Sequence, residues 1–199
     1  VLRAPAPRTG SVALVPAEPR VTTEQAKGLG ITEVIGTFTT RHGCCLPRVT
    51  NIHTIADLVD GYVVLPGETF DLNAVVGKRD RGRGFVAAPQ ILKGQFVDDV
   101  GGGISQFATT LFNAVFFSGL EDVEHSPHSY YISRYPAGRE ATVSFPKPEL
   151  RWRNDSPQGV LVLTSSTSTS ITVTFGVEQR YHISPVRRPP PRLPPRATG

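Results

Sequence analysis

A chain of 199 residues, 39% hydrophobic and 19% charged, is long enough to bury a core and ordinary in composition for a folded domain. Its net charge of +4 belongs to one end: residues 181–199 carry Arg187, Arg188, Arg192 and Arg196 and no acid, which leaves 17 basic against 17 acidic residues elsewhere. A folded basic face for nucleic acid is therefore not expected, and no apolar run reaches the roughly 18 residues of a membrane-spanning helix.

Residues 1–20, rich in Pro, Ala and Arg, read as a linker to an upstream domain. The chain contains no Met, so the expectation is a processed form or a piece of a longer protein. Thr22-x-x-Gln25 has capping-box spacing before a short helix that Gly28 and Gly30 can end. Ile31 to Thr40 reads as a strand. Asn51 is placed as the cap of a helix running to about Val59, with Ile52, Ile55, Ala56 and Val59 on one face and Gly61 ending it. Tyr62–Leu65 is a short strand into the Pro66-Gly67 turn, and Gly77 to Gly84 is a charged, glycine-broken loop. A strand around Gln90–Leu92 turns at Lys93-Gly94 into Gln95–Val100.

From Ile104 to Phe117 the apolar positions Ile104, Phe107, Ala108, Leu111, Phe112 and Val115 form one stripe at helical spacing, and Gly119 ends it. The C-terminal third reads as strands at Ala141–Phe145, Val160–Leu163 and Ser170–Val177. After about Tyr181, prolines and arginines predict a disordered tail. The organisation expected is a linker over 1–20, one domain over 21–180 and a tail over 181–199. Its class is α+β: an antiparallel sheet packed on one principal helix (about 104–118), with a smaller helix near 51–60.

Cys44 and Cys45 are adjacent, without CxxC or His-rich spacing. This favours two packed or paired thiols in a turn over a zinc site. Asn154-Asp155-Ser156 matches a glycosylation sequon but also an ordinary turn.

Chemistry concentrates where Gly101-Gly102-Gly103-Ile104-Ser105-Gln106 opens the principal helix. Glycines there allow close backbone approach, and the first helical N–H groups have no intrahelical partner. Ser105 in the first turn is a candidate nucleophile, with backbone donors beside it for an oxyanion. A cap and a turn account for the same residues. Downstream, His128 is a candidate base with His125 as its rival, and Glu140 a candidate orienting acid.

The succession Arg48-x-x-Asn51-Ile52, Pro66-Gly67-Glu68-Thr69-Phe70, Gly101-Gly102-Gly103-x-x-Gln106, Thr109-Thr110-Leu111-Phe112-Asn113-Ala114, His128-Ser129 and Gly138-x-Glu140-Ala141-Thr142-Val143 resembles the VanW family in collinear order over roughly residues 36–178. That family is named from vancomycin-resistance gene clusters. The resemblance implies an extracytoplasmic cell-envelope domain of a membrane-anchored bacterial protein, acting at peptidoglycan. Some members are held to be L,D-transpeptidases, using a cysteine in Gly-Gly-Gly-x-Cys-Gln. Here Ser105 stands at that position, and Glu140 stands where the family usually has Asp. A serine hydroxyl needs a well-placed base where a thiolate does not.

Two functions follow as expectations. The first is a module that binds wall stem peptides, through Gly101, Gly102, Gly103 and Gln106. The second is an acyl-transfer enzyme with Ser105, His128 and Glu140 as catalytic residues and Gly102–Gly103 donors for the oxyanion. Neither requires a metal or organic cofactor. Cys44 is a further candidate for the absent thiol, should the loop Arg41–Pro47 pack on the glycines.

Overall fold

The computed structural model describes residues 13, 19–92, 95–129, 131–178 and 180–186. The linker and tail expected from the sequence lie mostly outside these residues. Described residues belonging to them, Ala13, Pro19, Arg20 and Tyr181–Val186, have no regular secondary structure, and Arg20 pairs with Glu68 over the Tyr62 ring.

The described residues form the α-helices α1 (Thr23–Gly28), α2 (Pro47–Val59), α3 (Leu72–Val76) and α4 (Ser105–Ser118), with a short 3-10 turn at Arg81–Arg83. The strands are β1 (Glu33–Arg41), β2 (Tyr62–Val64), β3 (Thr69–Asp71), β4 (Ala87–Leu92), β5 (Gln95–Val100), β6 (Glu121–Glu124), β7 (Arg151–Arg153), β8 (Val160–Thr167) and β9 (Ser170–Val177). A four-stranded sheet runs β1-β9-β8-β2, a second runs β3-β7-β6, and β4-β5 form a hairpin. Every pairing is antiparallel, as the α+β reading expects.

Alternation in β9 decides the main packing. Ile171, Val173 and Phe175 face inward and are fully buried, against α4's Phe107, Leu111 and Val115. The principal helix therefore seals the sheet through the stripe read from the sequence. Gly36 lets β1 press on that helix: a Cβ there would sit 2.1 Å from Ser118 Oγ. At the other end of the core, Trp152 of β7 stacks on Phe70 at 5.4 Å and meets Phe175 at 5.0 Å, joining the two larger sheets.

Two expected elements differ. The helix α2 begins at Pro47, four residues before the expected cap, and Asn51 lies fully buried inside it. Proline at the first helical position has a suitable fixed φ and lacks an N–H that would be unpartnered anyway. Asn51 spends its carboxamide on tertiary contacts instead: it accepts from Val86 N–H at 2.8 Å and donates to the carbonyls of Val86 and Gly102 at 2.9 Å.

Ala141–Phe145 is not a strand. Residues 141–144 alternate buried and half-buried and Phe145 is exposed, but the N–H groups serve no ladder. Ala141 N–H donates to Thr109 Oγ1, Val143 N–H to Ser105 Oγ and Thr142 N–H to Ser126 O. Side chains of α4 take the place of a neighbouring strand. Short elements the sequence did not announce are α3, capped by Asp71, and the three-residue strands β3 and β7 with their partner β6.

Asn154 is fully buried and donates to Val64 O and Gln158 O, so the Asn-Asp-Ser sequence is a turn with no room for a glycan. Cys44 and Cys45 are joined in a disulfide, which leaves neither as a free thiol near the glycines.

Candidate functional site

The glycine run lies where three pieces of backbone crowd together. A Cβ on Gly102 would stand 1.9 Å from the Ala88 carbonyl oxygen of β4. Gly101 and Gly103 have φ of 92° and 89° and cover the side chains of Arg79 and Arg48. No other residue type combines that conformation with that proximity. The carboxamide of Asn51 ties the loop from below through Gly102 O.

Gln106, in the first turn of α4, is fully buried and fully used. Its amide donates to Thr40 Oγ1 and Arg41 O, each at 3.0 Å, and its oxygen accepts from Arg48 Nη2 at 2.8 Å. One side chain thus pins the start of α4 to β1 and to the start of α2. It holds Arg48 in place.

These contacts form the floor of a cleft of about 730 Å³. Arg48, Gly103, Ser105, Gln106 and Thr142 line it, together with β4 residues Pro89 to Ile91, the described residues of the segment Ser126–Tyr135, and the turn that carries Lys147. Ser105 is the first residue of α4 and half-buried. Its hydroxyl hydrogen-bonds Thr142 Oγ1 at 3.0 Å and accepts from Val143 N–H at 3.3 Å.

His128 borders the same cleft. Its Nδ1 lies 2.9 Å from Glu140 Oε2, and its ring stacks on Tyr135. Burial pulls the imidazole below its ordinary value; hydrogen bonding and charge from Glu140 push the other way, and Arg134 adds to the lowering. His128 is therefore held neutral near pH 7, oriented by a carboxylate. The serine and the imidazole share the cleft, but among the described residues no hydrogen bond joins them. His125 lies elsewhere, paired with Asp122 at 2.6 Å and stacked on Phe112.

The expected oxyanion donors divide. Gly101 N–H donates to Val86 O and Gly102 N–H to Asp99 O, so both are engaged. Gly103 borders the cleft.

The cleft is electropositive. Arg48, Arg134, Lys147 and His128 line it, and among the described residues no Asp or Glu does. Lys147 is already balanced by Glu124 and Glu149, each at 2.9 Å, so the surplus charge comes from the two arginines. Burial, then the charge of Arg134, lowers the pKa of Arg48, while Tyr135 counters that by a hydrogen bond. Arg134 and Tyr135 are residues the sequence did not single out. The signal was present in Tyr131-Ile132-Ser133-Arg134-Tyr135, an aromatic and basic run between the His128 and Glu140 motifs. No helix among the described residues is long and apolar enough to cross a membrane.

The family model described as "VanW like protein" matches residues 47–176. The protein YoaR of Bacillus subtilis (strain 168) is similar, with 41% identity over 128 residues, 64% of this chain and 42% of that protein. The chain thus spans less than half the length of this curated relative. No solved structure matches significantly. The family match covers the cleft from Arg48 to Pro148 and strands β2 and β8 of the main sheet with nearly all of β9, and it supports a cell-wall-associated protein. The chain belongs to the VanW-like family.

Proposed function

We propose that the cleft binds wall stem peptides at the extracytoplasmic face of the envelope and recognises a free peptide carboxylate through Arg48 and Arg134. The observation that carries this reading is the lining: two arginines without a carboxylate partner in the cleft, beside serine and threonine hydroxyls and the apolar β4 residue Ile91. A guanidinium suits a carboxylate because its donors form a planar fork. Half-burial of Arg48 strengthens the attraction by excluding water.

The test is calorimetric titration of the protein with a stem tetrapeptide and with its C-terminal amide. The free acid binds at least about tenfold more tightly, a difference worth about 1.4 kcal/mol, and Arg134→Ala removes most of that preference. Equal affinity for acid and amide would rule out carboxylate recognition.

A second reading, acyl transfer, has a specific observation in its favour. Ser105 at a helix start and an imidazole oriented by Glu140 border one cleft. In that case a peptide carbonyl seated over Ser105 would receive its hydroxyl, with Gly103 N–H near the developing oxyanion and His128 taking the proton. Exchange or hydrolysis products from stem peptides, abolished by Ser105→Ala, are the required result.

A further inference from the structure

Tyr135 stands between the arginines of the cleft and its imidazole. It is 5% exposed and closes the segment Ser126–Tyr135 along the cleft wall. Three basic side chains meet it. Its side chain hydrogen-bonds Arg48, which α2 supplies. The guanidinium of Arg134 lies over its ring, with Cζ 4.9 Å from the centroid. The His128 ring stacks on it at 5.6 Å, with 29° between the planes. Arg134 therefore lies within roughly 10 Å of the imidazole, close enough for the two charges to act on one another where water is partly excluded.

The remaining charged groups around His128 are accounted for. Glu140 Oε2 lies 2.9 Å from its Nδ1. Lys147 lines the same cleft, but Glu124 and Glu149 balance it. Among the described residues no Asp or Glu lines the cleft to offset Arg48 and Arg134. Arg134 thus opposes the charging of His128, in the same direction as burial and against Glu140.

We infer that Tyr135 is a positioning residue that couples the two arginines to His128, so that a peptide carboxylate held by the arginines draws a proton onto the imidazole. The inference rests on the carboxylate reading proposed above. A carboxylate beside Arg134 cancels the charge that disfavours the imidazolium. The proton comes from solvent and goes to Nε2, because Nδ1–H already faces Glu140. Linkage makes the effect reciprocal: the proton favours the carboxylate by the factor with which the carboxylate favours the proton. Affinity for the acid peptide therefore rises as pH falls from the bound-state midpoint of His128 to the lower midpoint of the unliganded chain. Outside that window it is level while the carboxylate stays ionised. For chemistry at Ser105, the same coupling raises the basicity of His128 only when a peptide with a free terminus is seated.

The test is calorimetric titration of the full chain with a stem tetrapeptide and with its C-terminal amide, between about pH 5 and pH 8, in buffers of differing ionisation enthalpy. The acid takes up a fraction of a proton on binding, and its affinity rises at least about threefold toward the lower pH. The amide takes up none. NMR of the His128 ring assigns the proton: its midpoint rises with the acid bound and stays in place with the amide. Tyr135→Phe keeps the ring and loses the hydroxyl on Arg48, so acid affinity falls while the midpoint of His128 in the unliganded chain holds. Tyr135→Leu removes the shared ring, and proton uptake falls by more than about half. Acid binding with no proton uptake, or uptake that leaves the His128 midpoint unmoved, overturns the coupling in the wild type alone, whatever the variants do, and leaves carboxylate recognition standing. Undiminished uptake in a folded Tyr135→Leu chain removes Tyr135 from the coupling. Acid and amide bound alike at every pH would overturn the carboxylate reading itself, and the coupling with it.

Discussion

Glu140 reaches back to His128: its Oε2 lies 2.9 Å from the ring's Nδ1, twelve residues earlier in the chain. The contact fixes which imidazole nitrogen can serve the cleft, and it sets how His128 titrates. Burial, the largest cause, lowers its pKa below the ordinary 6.5, and Glu140 limits the fall. The unfolded chain therefore binds this proton more readily than the folded one. Stability from this residue is complete above pH 6.5 and is lost as pH falls from there toward the folded value, below which the loss stops. An NMR titration of the His128 ring should place its midpoint below 6.5, and Glu140→Gln should lower it further. A rise on that substitution would show that the carboxylate is not what supports the charged ring.

Ser105→Cys is expected to create a reactive thiol. The side chain sits at the start of α4, and its terminal atom faces Val143 N–H. Both favour an anion, so the new thiol should titrate below the usual value of about 8.5. The pH dependence of its alkylation by iodoacetamide measures this. Stem-peptide exchange by Ser105→Cys, from a wild type that shows none, would mean that the scaffold is competent and that the serine silences it. An ordinary or raised thiol pKa would remove Ser105 as a site for developing negative charge.

Gln106→Leu keeps the volume of a fully buried side chain and deletes three hydrogen bonds. Arg48 loses its Gln106 acceptor, though not Tyr135, and Arg41 O loses its Gln106 donor. Unpartnered buried groups of this kind cost about 1–3 kcal/mol each, so a loss of about 3 kcal/mol is expected in urea unfolding. Peptide affinity should also fall in the variant that still folds, because Arg48 is no longer held. A loss below about 1 kcal/mol would mean that water replaces the network.

Two glycine substitutions should behave oppositely. Gly102→Ala forces a Cβ against the backbone of Ala88, and a loss of about 3 kcal/mol or more is expected. Gly28→Ala, at the end of α1 with nothing within 4 Å of its Cβ, should gain about 0.4–1 kcal/mol by restricting the unfolded chain. Thermal unfolding of the pair reads both. A neutral Gly102→Ala would show that β4 can retreat from the loop.

Local rules fixed much of this protein before any tertiary contact. Apolar spacing alone sets α4 and the face it buries, and alternation sets β9, because both patterns repeat over three or more turns or pairs. The Thr22 capping box forms as its spacing requires. The helix start at Pro47 was equally local, yet the buried polar role of Asn51 was not, since its partners Val86 and Gly102 lie 35 and 51 residues away. The same distinction explains Ala141–Phe145. It has the composition of a strand, but its N–H groups are claimed by Ser105 and Thr109, a choice that exists only once α4 lies beside it. Motif order placed Ser105, His128 and Glu140 in one family pattern, and folding brought the first two to one cleft. What surrounds them was decided by long-range packing: Arg48 aimed by Gln106 across 58 residues, and Arg134 and Tyr135 delivered by a loop without periodicity.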